Sequence, residues 1–389
     1  MPTSRSDIFD RTVAHFLAPV LEPLRDSTVS EIMINGPEDI YVERQGRIQK
    51  IAARFESRDA LMAAVRNVLQ YSGKRITPES PLIDARLPDG SRVHVALDPV
   101  SLQGPCVCIR KFGKELLSMD ALIAVGALTE MAAEFLRLAV LAEQNIIVAG
   151  GTSSGKTTLL NALSTAIPPS QRIVVIEDSS ELQLQQEHVL RMETRPPDRY
   201  GRGEVTIRDL FRSSLRLRPD RIVIGEVRGG EALDMIQAMT SGHGGSMSTL
   251  HATTPRDALN RLETLALMAK VDLPLHALRA QAASAIDIIV QVTRLATGQR
   301  QVTQISEVLP LEGDQYRTVD LFTIRGTEAS AAAGRLRHEG TEEMQEYQGE
   351  SDSPSGGLRI EWTGEKPQFR HEPAARFLAE QARLCKPML

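Results

Sequence analysis

Along the first third of the chain, apolar positions alternate in twos, recur at helical spacing, then alternate again. VSEIMINGPEDIYVERQGRI (residues 29–48) reads as two short strands, broken at Gly36-Pro37 and turned back at Gly46. SRDALMAAVRNVLQYSG follows as an amphipathic helix, with Leu61, Val65, Val68 and Leu69 on one face and Gly73 as its stop. DARLPDGSRVHVAL forms a hairpin around Asp89-Gly90, and CVCIRKF a further strand. Residues 1–112 therefore read as a small α+β domain, and 113–128 as a linker. A capped amphipathic helix starts at Thr129. Beyond it, apolar runs (Ile146–Ala149, Ile173–Ile176, Ile222–Ile224, Met247–Leu250) alternate with helices. Short buried strands separated by helices imply a mainly parallel sheet and an α/β domain over 129–325. The remaining residues, 326–389, read as a C-terminal extension. Its first part, 326–356, is rich in Gly, Ala, Ser and Glu and is expected to be disordered. LRIEWTGEKPQF and PAARFLAEQARL then read as a last strand and helix.

Composition narrows the function classes. The length of 389 residues suggests two or three domains. A formal charge of −5 gives no general attraction to nucleic acid or anionic lipid, so no direct nucleic-acid binding is expected. No apolar run approaches the roughly 18–20 residues of a spanning helix. The start, MPTSRSDIFDRTVAHF, lacks a signal-peptide core, so a cytoplasmic location is expected. Cys106 and Cys108 share one strand face, and Cys385 lies near the end. C-x-C without a second pair suits zinc poorly, and all three read as buried structural thiols.

One interruption carries chemistry. Gly150, Gly151, Thr152, Ser153, Ser154, Gly155, Lys156 and Thr157 fit G-x-x-x-x-G-K-[ST] between a buried strand and a helix, with Thr158 next. Glycines open successive backbone N–H groups into a nest for phosphates, and the following helix points its positive end at them. Lys156 supplies a point charge and Thr157 a hydroxyl for Mg²⁺. This pattern binds a nucleoside triphosphate.

Three later stretches narrow that class. IVVIEDSSEL ends a strand in Glu177 and Asp178, on the ligand edge of such a sheet. PDRIVIGEVRGGEA ends another in Gly225-Glu226, where an ordinary hydrolysis strand would carry Asp in place of Gly225. In SGHGGSMSTLHAT, His243 and His251 flank a strand at a spacing that suits no zinc site.

In this order the motifs resemble those of the secretion (traffic) ATPases, which power type II and type IV secretion and type IV pili. GRGEVTIRDLFRSSLRLRPDRIVIGEVRGGEA and LPLHALRAQAASAIDIIVQVTRL look most like the tight-adherence pilus branch. The resemblance covers about residues 28–324. The four-cysteine zinc module of the type II branch is absent, and residues 326–389 match little of the family pattern. The resemblance implies a RecA-like P-loop NTPase fold and a homohexameric ring, with ATP held between the two domains. The ring would act on an integral inner-membrane platform protein and be peripheral to that membrane through its partners. Lys156 and Thr157 would hold phosphate and Mg²⁺. Glu226 would orient the Mg²⁺ hydration shell and Glu177 would polarise the attacking water. His251 would sense the γ-phosphate, with His243 supporting it. Arg92 and Arg110 match basic residues through which the first domain reaches nucleotide.

Arg208, Arg212 and Arg216 recur every four residues after the cap Thr206, opposite Ile207, Leu210, Phe211 and Leu215. The stripe reads either as a solvated face or as a subunit boundary, with Arg216, Arg195 or Arg202 reaching a neighbour's nucleotide. The leading functional reading is an ATP-hydrolysing motor for tight-adherence pilus assembly or protein secretion. A conjugative type IV secretion ATPase serving DNA export is the same-fold alternative, and a nucleotide-gated scaffold with little turnover is the alternative of another class. A small-molecule kinase is disfavoured because no lid motif or second substrate site is visible.

Overall fold

A computed structural model describes residues 12, 14–44, 46–77, 81–111, 118–198, 200–295, 297–325, 359–371 and 382–388. The chain divides into two compact units, Met1–Glu115 and Leu116–Leu389.

In the first unit a helical turn α1 (Leu21–Arg25) precedes strands β1 (Val29–Asn35), β2 (Ile40–Arg44) and β3 (Arg47–Lys50). Helix α2 (Arg58–Tyr71) follows, then β4 (Leu82–Arg86), β5 (Arg92–Ala96) and β6 (Cys106–Arg110). The strands form one antiparallel sheet in the order β3-β2-β1-β6-β5-β4. Ser57 caps α2 by accepting from Ala60 N at 3.1 Å. The helix buries Leu61, Ala64, Val65, Val68 and Leu69 against Ile32, Ile34, Val93 and Ile109 on one sheet face. Alternation puts the polar partners on the other face. There, Arg86 pairs with Arg92, Arg92 with Arg110, and Arg110 with Glu31 in one lateral row. Cys106 and Cys108 lie on this face and are half-buried, where burial had been expected.

The second unit opens with α3 (Met119–Ala124) and α4 (Glu130–Leu141), followed by β7 (Ile146–Gly150) and α5 (Lys156–Ser164). Then come β8 (Ile173–Glu177), β9 (Val189–Glu193), α6 (Ile207–Ser214), β10 (Arg221–Ile224), α7 (Glu231–Met239) and β11 (Met247–Leu250). Helices α8 (Pro255–Leu267) and α9 (Leu275–Ala285) lead to β12 (Ile288–Arg294), β13 (Arg300–Glu312), β14 (Gln315–Arg325) and β15 (Arg359–Trp362). The sheet order is β15-β14-β13-β12-β7-β11-β10-β8-β9. From β12 to β9 neighbours run parallel, and β12 to β15 are antiparallel. One apolar layer holds α4 and α5 against the sheet, the other α6 to α9.

The expected linker extends too far. Residues 112–117 lie outside the described residues, but Ser118 caps α3 by accepting from Ala121 N, and Met119 and Leu122 are buried in the second unit's core. A cap followed by apolar residues three apart makes a helix, and that helix has a core to enter. Thr129 sits at the start of α4 without capping it; its hydroxyl donates instead to the Ile360 carbonyl on β15. The expected disorder (326–356) and most of the expected last helix fall outside the described residues. The expected strand near the end is β15, and Phe369, Cys385 and Met388 join the core.

At the edge of the sheet where β10 and β11 begin, Arg221 is almost fully buried. Its Nε donates to Gln171 Oε1 at 2.7 Å and its Nη2 to Val140 O at 2.9 Å. Gly245 lies flat against this guanidinium. Its φ is +71°, and a Cβ there would stand 1.3 Å from Arg221 Nη1. Gly245→Ala combines a left-handed backbone with a steric conflict, so a loss of about 2–4 kcal/mol is expected. Calorimetry should show a lowered melting temperature for the second unit.

Candidate nucleotide site

Strand β7 ends in the middle of the parallel run, flanked by β12 and β11. Its last residue, Gly150, pairs with Val292, whose carbonyl lies 2.4 Å from where a Gly150 Cβ would be. Ser154 Oγ would be 2.5 Å away, so only glycine fits. The chain then turns through Ser153 (φ +56°) and Gly155 (φ +102°) into α5. Left-handed residues before a helix start aim consecutive amides outward, which is the anion nest expected of this pattern. Gly151 and Thr152 are exposed at the tip, Thr157 and Thr158 are half-buried in the first turn, and Ser154 Oγ donates to Gly151 O at 2.9 Å. Lys156 Nζ folds back over the loop, donating to Gly150 O at 3.1 Å and Gly151 O at 2.7 Å. Burial, aided by Arg228, lowers its pKa against the pull of Glu226 and Glu181.

The two glutamates differ in environment. Glu177 ends β8 and is buried; Oε1 accepts from Glu181 N at 2.8 Å and Leu182 N at 2.9 Å. Burial raises its pKa, only partly offset by those amides, and the Glu181 and Glu193 charges add to the rise. Glu226 follows β10. Its Oε2 accepts from Arg228 Nη2 at 2.7 Å, and Oε1 lies 3.0 Å from His251 Nε2. Burial pushes this carboxyl up, but Arg228, His251 and Lys156 outweigh it and leave the pKa lowered. His251 has a lowered pKa from burial and the nearby Lys156 charge, with Glu226 opposing. Lys156, Glu226 and His251 thus converge electrostatically at the loop.

Position 225 has a physical reason to be glycine. A Cβ there would lie 2.8 Å from the Glu177 Cγ methylene and 3.3 Å from its Oε1, so the Glu177 side chain fills the space that an aspartate just after β10 would need. Arg228, which the motif reading passed over, holds Glu226. Glu231 Oε1 accepts from the amides of Arg228 and Gly229 at 2.7 Å each and shapes the same turn.

Other expectations fare differently. His243 is not at this site. Met247, the first residue of β11, pairs with Ile146, the first of β7, so His243 sits at the opposite sheet edge from Gly150. Arg208 and Arg212 both pair with Asp234 of α7, at 2.5 and 2.8 Å. That part of the stripe ties two helices of one chain together, while Arg216 is exposed. Arg195 Nε donates to Gly203 O at 2.6 Å, and Arg202 lies over the Tyr200 ring at 5.1 Å. Arg92 and Arg110 belong to the first unit's lateral row, which Arg86 extends; the hairpin at Asp89-Gly90 was the signal that could have found it.

A cavity of about 240 Å³ opens beside the loop, with Leu128, Leu159, Val292 and Val302 on its apolar walls. Arg300 lines it too and donates from Nε to Ser153 O at 3.0 Å. It sits on β13, far from the loop in sequence, and no motif announced it. Among the described residues no three His, Cys, Asp or Glu side chains group as a metal cage. Mg²⁺ needs none, since it keeps most of its waters and takes one or two protein oxygens. The Thr157 hydroxyl and the ionised Glu226 fit that requirement.

Gly225→Ala should push the Glu177 carboxylate off its two amides. Displacement of about 1 Å at a reacting group lowers turnover by on the order of 10²-fold. Steady-state phosphate release, with circular dichroism to confirm folding, would measure it; wild-type turnover would contradict this account of the glycine.

Residues 15–354 match the family model described as "Type II/IV secretion system protein". The conjugal transfer protein TrbB of Rhizobium radiobacter is 34% identical over 301 residues, spanning 76% of this chain and 88% of that protein. A type IV secretion system protein PtlH homolog of Bordetella bronchiseptica is 39% identical over 295 residues, 69% of this chain and 86% of its own. Among solved structures, the Legionella pneumophila ATPase DotB shares the fold, with a TM-score of 0.50 at 18% identity over 82% of this chain and 81% of that one. Among the described residues no helix is long and apolar enough to cross a membrane. The nest, the converging charges and these likenesses agree: the chain belongs to the type II/IV secretion system protein family, whose fold is the RecA-like P-loop ATPase.

Proposed function

We propose that this chain is an ATP-hydrolysing motor of a cell-envelope secretion or pilus machine. The observation that carries the reading is the convergence of Lys156, Glu226 and His251 on the phosphate loop, with Glu177 held on the neighbouring strand end. In this mechanism the loop amides cradle the phosphates, and Lys156 exchanges its two loop carbonyls for phosphate oxygens. Thr157 and Glu226 would hold and orient Mg²⁺, which would supply charge neutralisation on the transferred group. Glu177 accepts a proton from the attacking water. His251 donates toward the γ-phosphate and reports its loss to Glu226. The cavity beside Arg300 takes the nucleoside. The active form is a homohexamer, peripheral to the inner membrane and acting on an integral platform protein.

Two cargoes compete. The motif wording favours tight-adherence pilus assembly, and relatives carrying the names conjugal transfer protein and type IV secretion protein favour a type IV channel, including DNA export. Deleting the gene in its host and scoring surface pili against plasmid transfer separates them.

Lys156→Ala should abolish turnover and weaken ATP binding while the fold persists, as circular dichroism and phosphate release would report. Substantial residual hydrolysis in the variant would overturn the role given to Lys156, whereas a wild-type chain that binds ATP but barely releases phosphate would sink the motor reading and leave the nucleotide-gated scaffold.

Glu177→Gln should bind ATP normally and hydrolyse it slower by at least ~10²-fold. Its stability should move the other way. Because the folded pKa of Glu177 lies above the ordinary value of 4.5, the native state binds more protons than the unfolded chain in that window. Stability therefore falls as pH rises through it, and glutamine removes the cost while still accepting from both amides. The variant should melt higher than wild type at pH 8, with the difference vanishing at acid pH; a lower melting point at pH 8 would refute the burial account.

A further inference from the structure

Gln291 lies on β12 with 4% of its surface exposed, in a strand whose other buried residues are all Ile or Val. Its Nε2 donates to the carbonyl of Ala252 at 3.2 Å, and its Oε1 is buried without a hydrogen-bond partner among the described residues. The sheet register shows how far that bond reaches. Gln291 pairs with Ala149 on β7, and Ala149 pairs with Leu250 on β11. The amide therefore crosses beneath the phosphate-loop strand to the residue after His251, a span of two strand spacings, roughly 10 Å. The small side chain of Ala149 leaves room for the crossing. One residue further along, Val292 presses its carbonyl against Gly150. A single strand end thus touches the phosphate loop and the histidine turn. Burying an amide with one acceptor unused is costly, and an aliphatic residue would pack in its place without that cost.

We propose that Gln291 is a positioning residue that ties the His251 turn to the phosphate-loop strand. It acts through His251 and rests on the role given to that histidine above. The strut keeps His251 Nε2 on Glu226 while nucleotide exchanges, so its loss slows the chemical step and spares affinity.

The test is a double-mutant cycle on the full chain. Steady-state hydrolysis of Mg²⁺-ATP, binding of a non-hydrolysable ATP analogue and thermal unfolding are measured for Gln291→Met, His251→Ala and the double variant. Gln291→Met keeps length and volume but cannot donate to Ala252. It should lower kcat on the order of tenfold, with analogue affinity within about twofold of wild type. In the His251→Ala background it should have no further effect, because the two act as one unit. Effects that multiply in the double variant, or a raised KM with unchanged kcat, would overturn the proposal while leaving His251 in its role. A His251→Ala protein with wild-type turnover would overturn both. Should Gln291→Met fail to fold, Gln291→Asn, which keeps the amide but falls one methylene short, is read by the same outcomes.

Discussion

The last residue of β7 can carry no side chain, and much of the second unit follows from that. With the Val292 carbonyl 2.4 Å from the Cβ position, β7 and β12 run shoulder to shoulder up to the point where the chain must leave the sheet. The turn that leaves it needs left-handed backbone at Ser153 and Gly155, and that geometry is what exposes the amides. Because the neighbours are parallel, the ends of β8, β10, β11 and β12 arrive at the same edge as β7. Each delivers one group there: Glu177, Glu226, His251 and Gln291. A parallel sheet thereby collects residues far apart in sequence without any of them having to be close in the chain.

Among those groups the two glutamates divide the work by environment. Glu226 faces Arg228, His251 and Lys156, so it stays ionised and can organise cations. Glu177 faces burial and two backbone amides, with its pKa raised, the condition of a base that can take up a proton. The glycine at 225 belongs to this division. An aspartate there would collide with Glu177 and would place a second carboxylate beside it, raising its pKa further. This chain's departure from the ordinary hydrolysis strand is thus a spatial exchange: the Glu177 side chain of β8 fills the volume that a side chain just after β10 would need.

How much of this was legible follows from the range of each constraint. The phosphate loop depends on eight consecutive residues and a strand-to-helix change, and both are local. The glutamates were readable because a carboxylate at a strand end is conspicuous. His243 misleads because two histidines eight residues apart around one short strand look like one box, whereas that four-residue strand sends them to opposite sheet edges. Arg300 and Gln291 were invisible because each meets the site through strand register alone. The helix α3 was taken for linker because its capping serine precedes only six helical residues, too few for periodicity to declare itself. The arginine stripe stayed ambiguous until Asp234, on another helix, could be seen to hold Arg208 and Arg212.

The first unit poses the converse problem, a feature that folding alone does not favour. Arg86, Arg92 and Arg110 stand in register on adjacent strands, and like charges directly opposite one another destabilise a sheet by a few tenths to about 1 kcal/mol per pair. Glu31 ends the row with an ion pair to Arg110 at 2.5 Å. Hairpin geometry does not require this arrangement, since the helix-covered face, with Ala85, Val93 and Ile109 in the same rows, already fixes the register. A local pairing rule broken in this way is expected at functional surfaces more often than in cores, because register and core packing gain nothing from it.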